Sequence, residues 1–599
     1  MMTAQRLQKL RMLMKQKQYD YYLVPSTDAH NSEYVPKQWQ RRPWISGFTG
    51  SAGEALVGEN CAFLSTDGRY FLQAENELDP DCYQLLKQSG YRSEIDQWLE
   101  RHSRPSQTLA LDPATVSIAR GKALIAMMDK NGGHCVFDDG NLIDKLTEES
   151  NISLPKSVFI QPLEYAGQEL QAKLADIRAR MKDKDVDTLI LSVLDEIAWL
   201  LNIRGHDIAF NPLVISYVMI SASQCRFYVA REKLDDTVLS YLHERHVEIC
   251  DYEAIKNDMA QLTGRLWLDD KTANFGLYQL IADDCELYFA QSPVVLAKAC
   301  KNSTEIKGAF EAHKKDAVAV ISFLAWLTKN WRQGVDELKA EEVLLRFRQM
   351  QDDFMGASFD TISGFAANGA IIHYRADEKT SKRINDQHLY LLDSGGQYRQ
   401  GTTDITRTIH LGEPSSEERK HYTLVLKGHL ALARAKFPKG VKGEQIDALA
   451  RMFLWQNGLD YRHGTGHGVG SFLCVHEGPQ RIAQAVSDQP LMPGMILSNE
   501  PGFYLDGAYG IRIENLCLVT SDNKISHNGF GDFYGFEDLT LVPYDNKLID
   551  EDMLTEEELA QLKAYYSRIE REILPLIDDE AIRLWLLDAL NLEIFDQAI

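Results

Sequence analysis

The sequence is poor in cysteine, and the spacing of its cysteines excludes two kinds of site. Nine cysteines are scattered over 599 residues, and none forms a Cys-x-x-Cys pair. An odd number of isolated cysteines argues against a disulfide framework and against a zinc site built from thiolates. We therefore expect reduced thiols, as in a cytoplasmic protein.

The sequence also has no hydrophobic run long enough to span a bilayer. The longest, AVAVISFLAWL at 317–327, is well short of the ~20 residues that a membrane helix needs. The first twenty residues contain no continuous apolar stretch of the kind found in signal peptides. We expect no membrane partner and a cytoplasmic location.

An excess of basic residues is missing as well. The chain has 64 Lys and Arg residues against 87 Asp and Glu residues, which gives a net charge of -23. Binding to nucleic acid or to an anionic membrane needs a basic surface. The charge balance therefore predicts no nucleic-acid partner.

Two stretches in the first half of the chain resemble each other. Residues 10–24 read LRMLMKQKQYDYYLV and residues 177–191 read IRARMKDKDVDTLIL. Each has the pattern of an amphipathic helix that leads into a buried strand. Their separation is the size of a domain and far exceeds the period of solenoid repeats. We expect two related α/β domains, at about 1–155 and 156–305.

The pattern changes after residue 300. A long amphipathic helix is predicted to begin at an N-cap, Ser303 or Thr304, and a second helix follows in VDELKAEEVLLRFRQMQ. From about 358 to 545, short strands alternate with glycine loops, and helices are predicted near 416–436 and 442–457. This pattern predicts an antiparallel α+β domain at 306–599, with a charged helical extension at about 545–599.

Two aspartates lie at the ends of a predicted hairpin in LYLLDSGGQYRQGTTDITRTIHLG, residues 389–412. Asp393 ends one apolar run and Asp404 begins the next, with a glycine-rich loop between them. If the runs pair, the two carboxylates lie close together, and they repel each other unless a cation or a proton lies between them. Aspartates also cap ordinary turns, so this pair alone decides nothing.

A glycine-rich segment, YRHGTGHGVGSFLCVHEGP, carries three histidines, His463, His467 and His476. The spacing of the first two would place both on one face of a helix, but the interleaved glycines make a helix unfavourable by roughly 1 kcal/mol each. We expect an irregular loop. A histidine in such a segment is either a ligand or a hydrogen-bonded core residue.

Two further carboxylates occur in strand-like surroundings. Glu500 follows the run MIL and precedes a Pro-Gly turn signal, and Glu514 is predicted to lie inside a strand in GIRIENLCLV. A buried carboxylate needs a partner. Arg512, on the same predicted strand face, is one candidate partner for Glu514.

Taken together, four carboxylates and one imidazole fall within one region of the chain. Two divalent ions would balance four negative charges, and two metals about 3.5–4 Å apart can hold a bridging hydroxide and polarise a carbonyl group. Oxygen ligands with a single histidine favour Mn²⁺, Mg²⁺ or Co²⁺ over the nitrogen- and sulfur-rich sites typical of zinc.

Four motifs in this region resemble those of the M24 metallopeptidases: DSGGQYRQGTTDITRT, HGTGHGVG, NEPGFY and GIRIEN. STDAHNSEYVP, WISGFTGSAG and TDGRYFLQA resemble the first domain of the long, three-domain members that act on Xaa-Pro bonds. The resemblance implies two creatinase-like α/β domains followed by a pita-bread catalytic domain. It spans essentially the whole chain.

The resemblance also implies roles for individual residues. Asp393 would bind one metal bidentately, Asp404 and Glu514 would bridge both metals, and His467 and Glu500 would complete the second site. Glu500 would also carry the proton. The substrate would be contacted by three histidines and by an arginine of the first domain, namely His373, His463, His476 and Arg69.

The activity implied by the resemblance is removal of the N-terminal residue from peptides with proline in second position. The cofactors would be two divalent metal ions, with Mn²⁺ favoured and Co²⁺ or Zn²⁺ as alternatives, and the expected assembly is a homodimer. Two other functions stay open: a prolidase that cleaves only Xaa-Pro dipeptides, and a non-catalytic scaffold that binds peptides or proteins on the same fold.

Overall fold

The structure is a computed structural model of the 599-residue chain. It describes all residues except Met1, Tyr91, Asp139, 148–157, 523–528, Phe530 and 592–599. The chain divides into two compact units, one formed by 2–163 and 168–295 and the other by 164–167 and 296–591. None of the helices in the described ranges has the length and apolar character needed to cross a membrane.

The first part of the N-terminal unit is an α/β domain around a six-stranded sheet. The sheet has the strand order β4-β3-β2-β1-β5-β6. Its strands are β1 (Tyr21–Pro25), β2 (Glu54–Gly58), β3 (Ala62–Thr66), β4 (Gln84–Lys87), β5 (Thr108–Leu111) and β6 (His134–Phe137). Its helices are α1 (Thr3–Lys17), α2 (Arg41–Ser46), α3 (Phe71–Glu77), α4 (Glu94–His102) and α5 (Ile118–Lys130).

The second part repeats this architecture. Its strands are β7 (Phe159–Ile160), β8 (Thr188–Leu191), β9 (Ile203–Arg204), β10 (Ser216–Ser221), β11 (Cys225–Val229), β12 (Glu248–Cys250), β13 (Arg265–Leu268) and β14 (Glu286–Phe289). Its helices are α7 (Leu170–Asp183), α8 (Leu194–Leu201), α9 (Asp236–Glu244), α10 (Ala254–Ala260) and α11 (Phe275–Tyr278). Two short helices, α6 (Leu163–Ala166) and α12 (Pro293–Ala299), contain residues of both units.

The two six-stranded sheets have the same topology, which confirms the predicted duplication. The second sheet runs β12-β11-β10-β8-β13-β14. In both sheets the first strand pairs antiparallel with one neighbour and parallel with the other, and both outer strands are parallel to their neighbours. Helices α1 and α7 lead into β1 and β8, as the paired sequences predict. The predicted boundary at 155/156 lies outside the described residues.

In its described residues, the C-terminal unit has six α-helices from α13 onward, together with short strands. The helices are α13 (Ser303–Asn330), α14 (Glu337–Gln349), α15 (Ser416–Ala433), α16 (Asp447–Trp455), α17 (Glu556–Glu572) and α18 (Glu580–Ala589). The strands are β15 (Phe354–Ala357), β16 (Ile362–Phe365), β17 (Leu389–Ser394), β18 (Gly396–Tyr398), β19 (Gly401–Thr402), β20 (Ile405–His410), β21 (Lys436–Pro438), β22 (Gly466–Gly468), β23 (Glu477–Ile482), β24 (Ile496–Asn499), β25 (Gly502–Leu505), β26 (Tyr509–Arg512), β27 (Asn515–Ser521) and β28 (Phe533–Asp538).

The strands of this unit form antiparallel sheets. The largest has the order β21-β28-β27-β24-β22-β23, and two three-stranded sheets run β15-β18-β19 and β16-β17-β20. Among the described residues, each of their ladders is antiparallel, as the sequence pattern predicts. Side chains of α13, α14, α15 and α17 pack on these sheets, including the fully buried Phe323, Val425 and Tyr566. The strand ends that carry the acidic residues are therefore fixed to one large core.

The N-cap of α13 is one residue earlier than predicted. The predicted caps were Ser303 and Thr304, but both are helical, and the side chain of Asn302 accepts hydrogen bonds from the amides of Thr304 and Glu305. The Glu305 carboxylate in turn accepts a hydrogen bond from the Asn302 amide, 3.0 Å away, which completes a capping box. Asn302 is the cap, and not Ser303 or Thr304, because Glu305 lies three residues after it and can complete the capping box.

Candidate metal centre

A hairpin positions the two aspartates, as predicted. Strands β17 and β20 pair antiparallel, with Asp393 opposite Thr406 and Ser394 opposite Ile405. The connection is not a bare loop, because it contains β18 and β19, which pair with each other, and β18 also pairs with β15. Asp404 immediately precedes β20 and is almost fully buried. Both carboxylates are thereby placed at one end of a rigid ladder.

Three of the predicted ligands converge on one point. One ligand atom each from Asp404, His467 and Glu514 lies within 4.8 Å of the others. His467 Nε2 is 3.4 Å from Asp404 Oδ2 and 3.5 Å from Glu500 Oε1, so Glu500 borders the same point. The Nδ1 atom of His467 donates to the Gly468 carbonyl, 3.0 Å away, which turns Nε2 toward the carboxylates.

The strands explain how such distant residues meet. His467 lies in β22, a short strand of the large sheet, and Glu500 directly follows β24, its neighbour. Glu514 lies between β26 and β27, and its amide donates to the Thr406 carbonyl on β20, 3.1 Å away. The prediction that Glu514 lies inside one strand is therefore wrong, because the chain leaves β26 at this residue and crosses to the hairpin.

Asp393 is held by an arginine rather than by the converging group. Arg512 Nη2 donates to Asp393 Oδ2 at 2.6 Å, while Asp393 Oδ1 is buried without a hydrogen-bond partner. Arg512 was the candidate partner of Glu514, but Glu514 Oε2 instead accepts from the Thr406 hydroxyl at 2.8 Å. One oxygen of Asp393 therefore remains available in a buried acidic cluster.

Burial and mutual repulsion disfavour ionisation of this cluster. Burial raises the pKa of Asp393 to about 6, although Arg512 opposes the shift and Asp404 adds to it. Burial also raises the pKa of Glu500 and, together with Asp404 and Glu500, raises the pKa of Glu514 well above its ordinary value. Burial alone would lower the pKa of His467, but its contacts with Asp404 and Glu500 raise it to about 9. Such a site is stabilised by positive charge at its centre.

Three predicted substrate-side histidines belong to the same unit. His476 is exposed, and its ring centroid is 4.4 Å from that of His467 in an edge-on arrangement. His463 Nε2 is 2.8 Å from the Tyr504 hydroxyl, and its Nδ1 is 3.9 Å from Glu500 Oε2. His373 is half-buried in a turn, next to Ile372, whose carbonyl accepts a hydrogen bond from Arg512 at 3.4 Å.

Arg69 lies in the other unit. It follows β3 in the first domain and forms a two-pronged ion pair with Asp67, with both nitrogen–oxygen distances 2.8 Å. An ion pair of this kind is what a purely structural role for Arg69 would show. A role for Arg69 in substrate binding stays a prediction.

Tyr504, which the sequence did not single out, connects several residues of the site. The Tyr504 hydroxyl is 2.6 Å from Arg512 Nη1, so Asp393, Arg512, Tyr504 and His463 form one continuous chain of hydrogen bonds. Burial raises the pKa of Tyr504 to about 12, which keeps its hydroxyl protonated. Residues 502–505 and 509–512 form the two-stranded β25–β26 ribbon. Recognising these two short segments as a hairpin would have placed Tyr504 near Arg512.

A second missed group lies next to His476. Glu477 is fully buried and contacts two lysines, Lys298 and Lys301, with each nitrogen–oxygen distance 2.5 Å. Lysines three residues apart gave no sign in the sequence that they share one distant carboxylate. This triad anchors the segment that carries His476.

Family models match nearly the entire chain. A model described as metallopeptidase family M24 matches 308–521, and one described as the C-terminal region of that peptidase matches 532–591. Two models described as creatinase/prolidase N-terminal domains match 6–146 and 153–305. A protein from Pyrenophora teres named "Probable Xaa-Pro aminopeptidase P" is 42% identical, and the match covers 98% of this chain and 92% of that protein. A protein of the same name from Sordaria macrospora is 43% identical, and the match covers 98% of each chain.

The chain belongs to metallopeptidase family M24. Its fold is the M24 architecture of two creatinase-like N-terminal domains and a C-terminal peptidase domain, as the sequence resemblance implied. It is therefore a hydrolase of the metallopeptidase class.

Solved structures agree with this assignment over different lengths of chain. An X-prolyl aminopeptidase from Caenorhabditis elegans, described as a cytosolic enzyme with a di-nuclear active site, is 34% identical. It has a TM-score of 0.94, with 99% of this chain and 100% of that chain covered. An Xaa-Pro dipeptidase from Bacillus anthracis is 27% identical with a TM-score of 0.51, and it covers only 63% of this M24 chain.

Proposed function

We propose that this M24 enzyme removes the N-terminal residue from peptides that carry proline in second position. The observation that carries the proposal is the convergence of Asp404, His467 and Glu514 within 4.8 Å, with Glu500 at its edge. Relatives that match this chain over almost its whole length are named for the same activity. The dipeptidase resembles only part of the chain, which favours an aminopeptidase over a prolidase.

The residues present suit a pair of divalent ions held by Asp393, Asp404, His467, Glu500 and Glu514. A buried carboxylate oxygen without a hydrogen-bond partner, Asp393 Oδ1, supports this assignment, because such an atom is costly unless something binds it. Four carboxylates would balance the charge of two such ions. The oxygen-rich donor set favours Mn²⁺, with Co²⁺ and Zn²⁺ as the alternatives.

The chain's own side chains account for orientation and proton transfer. When bound, a pair of divalent ions would make a water molecule more acidic and polarise the scissile carbonyl group. Glu500 would accept a proton from the attacking water and return it to the prolyl nitrogen, which has no hydrogen of its own. His476 would donate a hydrogen bond that strengthens as negative charge develops on the carbonyl oxygen. His373 and His463 would contact the peptide, and Arg69 is retained as a weaker candidate.

Other features of the proposal concern organisation. We place the domains at 1–155, 156–305 and 306–599. Matches to two N-terminal models at 6–146 and 153–305, and to two peptidase models at 308–521 and 532–591, support these limits. A homodimer and a cytoplasmic location are proposed from the family resemblance. The description of the Caenorhabditis elegans enzyme as cytosolic supports the second of these.

The test of the activity is hydrolysis of defined peptides by chelator-treated protein. We expect release of the first residue from Xaa-Pro-Xaa tripeptides after addition of Mn²⁺, Co²⁺ or Zn²⁺, and little release without metal. Xaa-Ala-Xaa peptides serve as the specificity control. Cleavage restricted to Xaa-Pro dipeptides would identify a prolidase instead, and protein that neither retains nor binds metal would identify a scaffold.

The proton-transfer role of Glu500 is tested by Glu500→Gln. This change keeps the size of the side chain but removes its basicity, and we expect kcat to fall by about 10²-fold or more. Glu413→Gln, at an exposed position, is the matched control and should retain wild-type activity. Near-normal turnover by Glu500→Gln at full metal content would contradict the assignment.

A further inference from the structure

The segment that carries His463 has little local structure of its own. We call residues 460–465, between α16 and β22, the His463 loop. It includes Gly464 and is followed by Gly466, so its backbone has few steric restraints. Within the loop no residue belongs to a helix or a strand. Something outside the loop must therefore fix the position of the His463 ring.

Arg451, on α16, supplies that restraint. Its Nη2 donates to the His463 carbonyl at 2.7 Å, and its Nη1 donates to the Tyr461 carbonyl and to Asp460 Oδ1, both at 2.8 Å. Its guanidinium carbon also lies 3.8 Å from the centroid of the Tyr461 ring. Only 2% of the Arg451 side chain is exposed. This buried arginine therefore donates hydrogen bonds to three groups of one loop.

Asp447, one turn earlier on α16, completes the arrangement. Its Oδ2 accepts from Arg451 Nε at 2.7 Å, and its Oδ1 accepts from the Thr465 hydroxyl at 2.5 Å. The Tyr461 and Thr465 hydroxyls are themselves 2.5 Å apart. Both ends of the His463 loop are thereby tied to one helix face by charge-assisted hydrogen bonds.

We propose that Arg451 is a positioning residue that holds His463 against the prolyl side of the substrate, so that affinity for proline-containing peptides depends on an arginine that does not touch them. This inference rests on the proposed function of the site. It follows from the hydrogen bonds that Arg451 makes to the backbone of the His463 loop, including the His463 carbonyl itself. The ring nitrogens of His463 contact the Tyr504 hydroxyl and the Gly464 carbonyl, both at 2.8 Å. The ring is thus oriented by Tyr504 and by the loop backbone that Arg451 holds, with the Tyr461 ring 4.8 Å away between centroids.

The geometry predicts that lysine does not replace this arginine. Arg451 uses all three nitrogens of its planar guanidinium on fixed acceptors in different directions. A lysine ammonium is a compact charge without that fork, so Arg451→Lys keeps the charge but loses most of the loop contacts. We expect the loop to become mobile while the fold is retained.

The experiment compares wild type, Arg451→Lys, His463→Ala and the double variant. Amide hydrogen exchange measured without added metal should be faster in residues 460–465 of Arg451→Lys. With metal restored, KM for an Xaa-Pro-Xaa peptide should rise about ten-fold with kcat nearly unchanged, since an interaction made equally in the ground and transition states is lost. The double variant should be no worse than His463→Ala alone, because the two residues act in series.

Two further variants complete the experiment, one as a control and one as a milder change at the same loop. Arg42→Lys, at a buried arginine that holds the Gly50 carbonyl in the N-terminal unit, controls for loss of a buried guanidinium and should leave KM unchanged. Asp460→Asn removes the negative charge of one partner of Arg451, at a half-exposed position, and leaves an oxygen that can still accept a hydrogen bond. If Arg451→Lys does not fold, this milder change should still speed loop exchange and raise KM about two-fold.

Several results would overturn the proposal. Unchanged loop exchange, an unchanged KM, or effects of Arg451→Lys and His463→Ala that simply multiply would each exclude positioning through His463. A fall in kcat with constant KM would place the effect on Glu500, whose amide donates to the Thr465 carbonyl at 2.8 Å. A wild-type protein that cleaves no Xaa-Pro peptide would instead reject the proposed function, and the hydrogen-exchange result would still report on the loop.

Discussion

Glu341, on α14, is a carboxyl group that its surroundings hold in the protonated form. Burial raises its pKa to about 8, and the charges of Asp360 and Glu337 add to the shift. Its Oε1 is buried without a hydrogen-bond partner, while Arg375 pairs with Asp360 instead, at 3.3 Å. The native state thus binds a proton that the unfolded chain releases from about pH 4.5.

This difference makes stability fall as pH rises. A raised carboxyl pKa lowers the free energy of unfolding progressively between the unfolded value and about 8, because the unfolded state binds fewer protons than the native state. Glu341→Gln should match wild type near pH 4.5 and exceed it by about 1–2 kcal/mol at pH 8, with the size reduced by partial exposure. Urea unfolding at the two pH values measures this.

The neighbouring Glu342 supplies the control for that experiment. It is exposed, and hydrogen bonding to Lys339, with further help from Arg346, lowers its pKa. Glu342→Gln should therefore bring no gain in stability at pH 8. Equal responses of the two variants would show that burial of Glu341 is not the cause.

At the residue scale, the sequence predicted which side chains matter better than it predicted how they pair. The acidic residues and His467 were singled out because strand ends and glycine loops are visible locally. The partner of Asp393 was not, since Arg512 is 119 positions away and reaches it only when β26 packs beside β17. The Lys298–Glu477–Lys301 triad was missed for the same reason, since Lys301 and Glu477 are 176 positions apart. Arg451 was missed although its partners lie within 12 positions, because two of them are backbone carbonyls of an irregular loop.

At the scale of elements, the capping box of α13 gives a direct test of helix-end energetics. Removing the Asn302 side chain leaves two helical amides without their acceptor, so Asn302→Ala should cost about 1 kcal/mol. Ser303→Ala, one residue along, is the matched control and should cost much less because Ser303 is already helical. Denaturant unfolding of both variants provides the comparison, and equal losses would contradict the cap assignment.

Regular patterns were enough to predict most elements. Both duplicated helix–strand units, the β17–β20 hairpin and the two helices near 416–436 and 442–457 occur, the last two as α15 (Ser416–Ala433) and α16 (Asp447–Trp455). The break between β26 and β27 was not predicted, because the apolar alternation through Glu514 continues as if one strand ran on. A hydrogen bond from Glu514 to the hairpin overrides that local pattern.

At the scale of the whole molecule, the two compact units should respond differently to metal. If the five predicted ligands hold the ions, binding stabilises only the unit that contains them, by about 2.7 kcal/mol at a metal concentration of 100 Kd. Hydrogen exchange should slow within residues 296–591 and stay unchanged within 2–163 and 168–295. We expect Asp404→Asn to abolish the effect. Equal protection of both units would contradict a site confined to the C-terminal unit.

Because the two N-terminal sheets share one topology, a comparison of equivalent positions shows which residues the sheet itself requires. Strands β3 and β11 hold the same place in their sheets, yet β3 is followed by the Asp67–Arg69 ion pair and β11 by Ala230 and Arg231. Ala230 of the second copy holds the position that Asp67 has in the first, directly after the strand, and the second sheet forms all the same. The Asp67 carboxylate is therefore specific to the first copy, and a sheet of this topology does not need it.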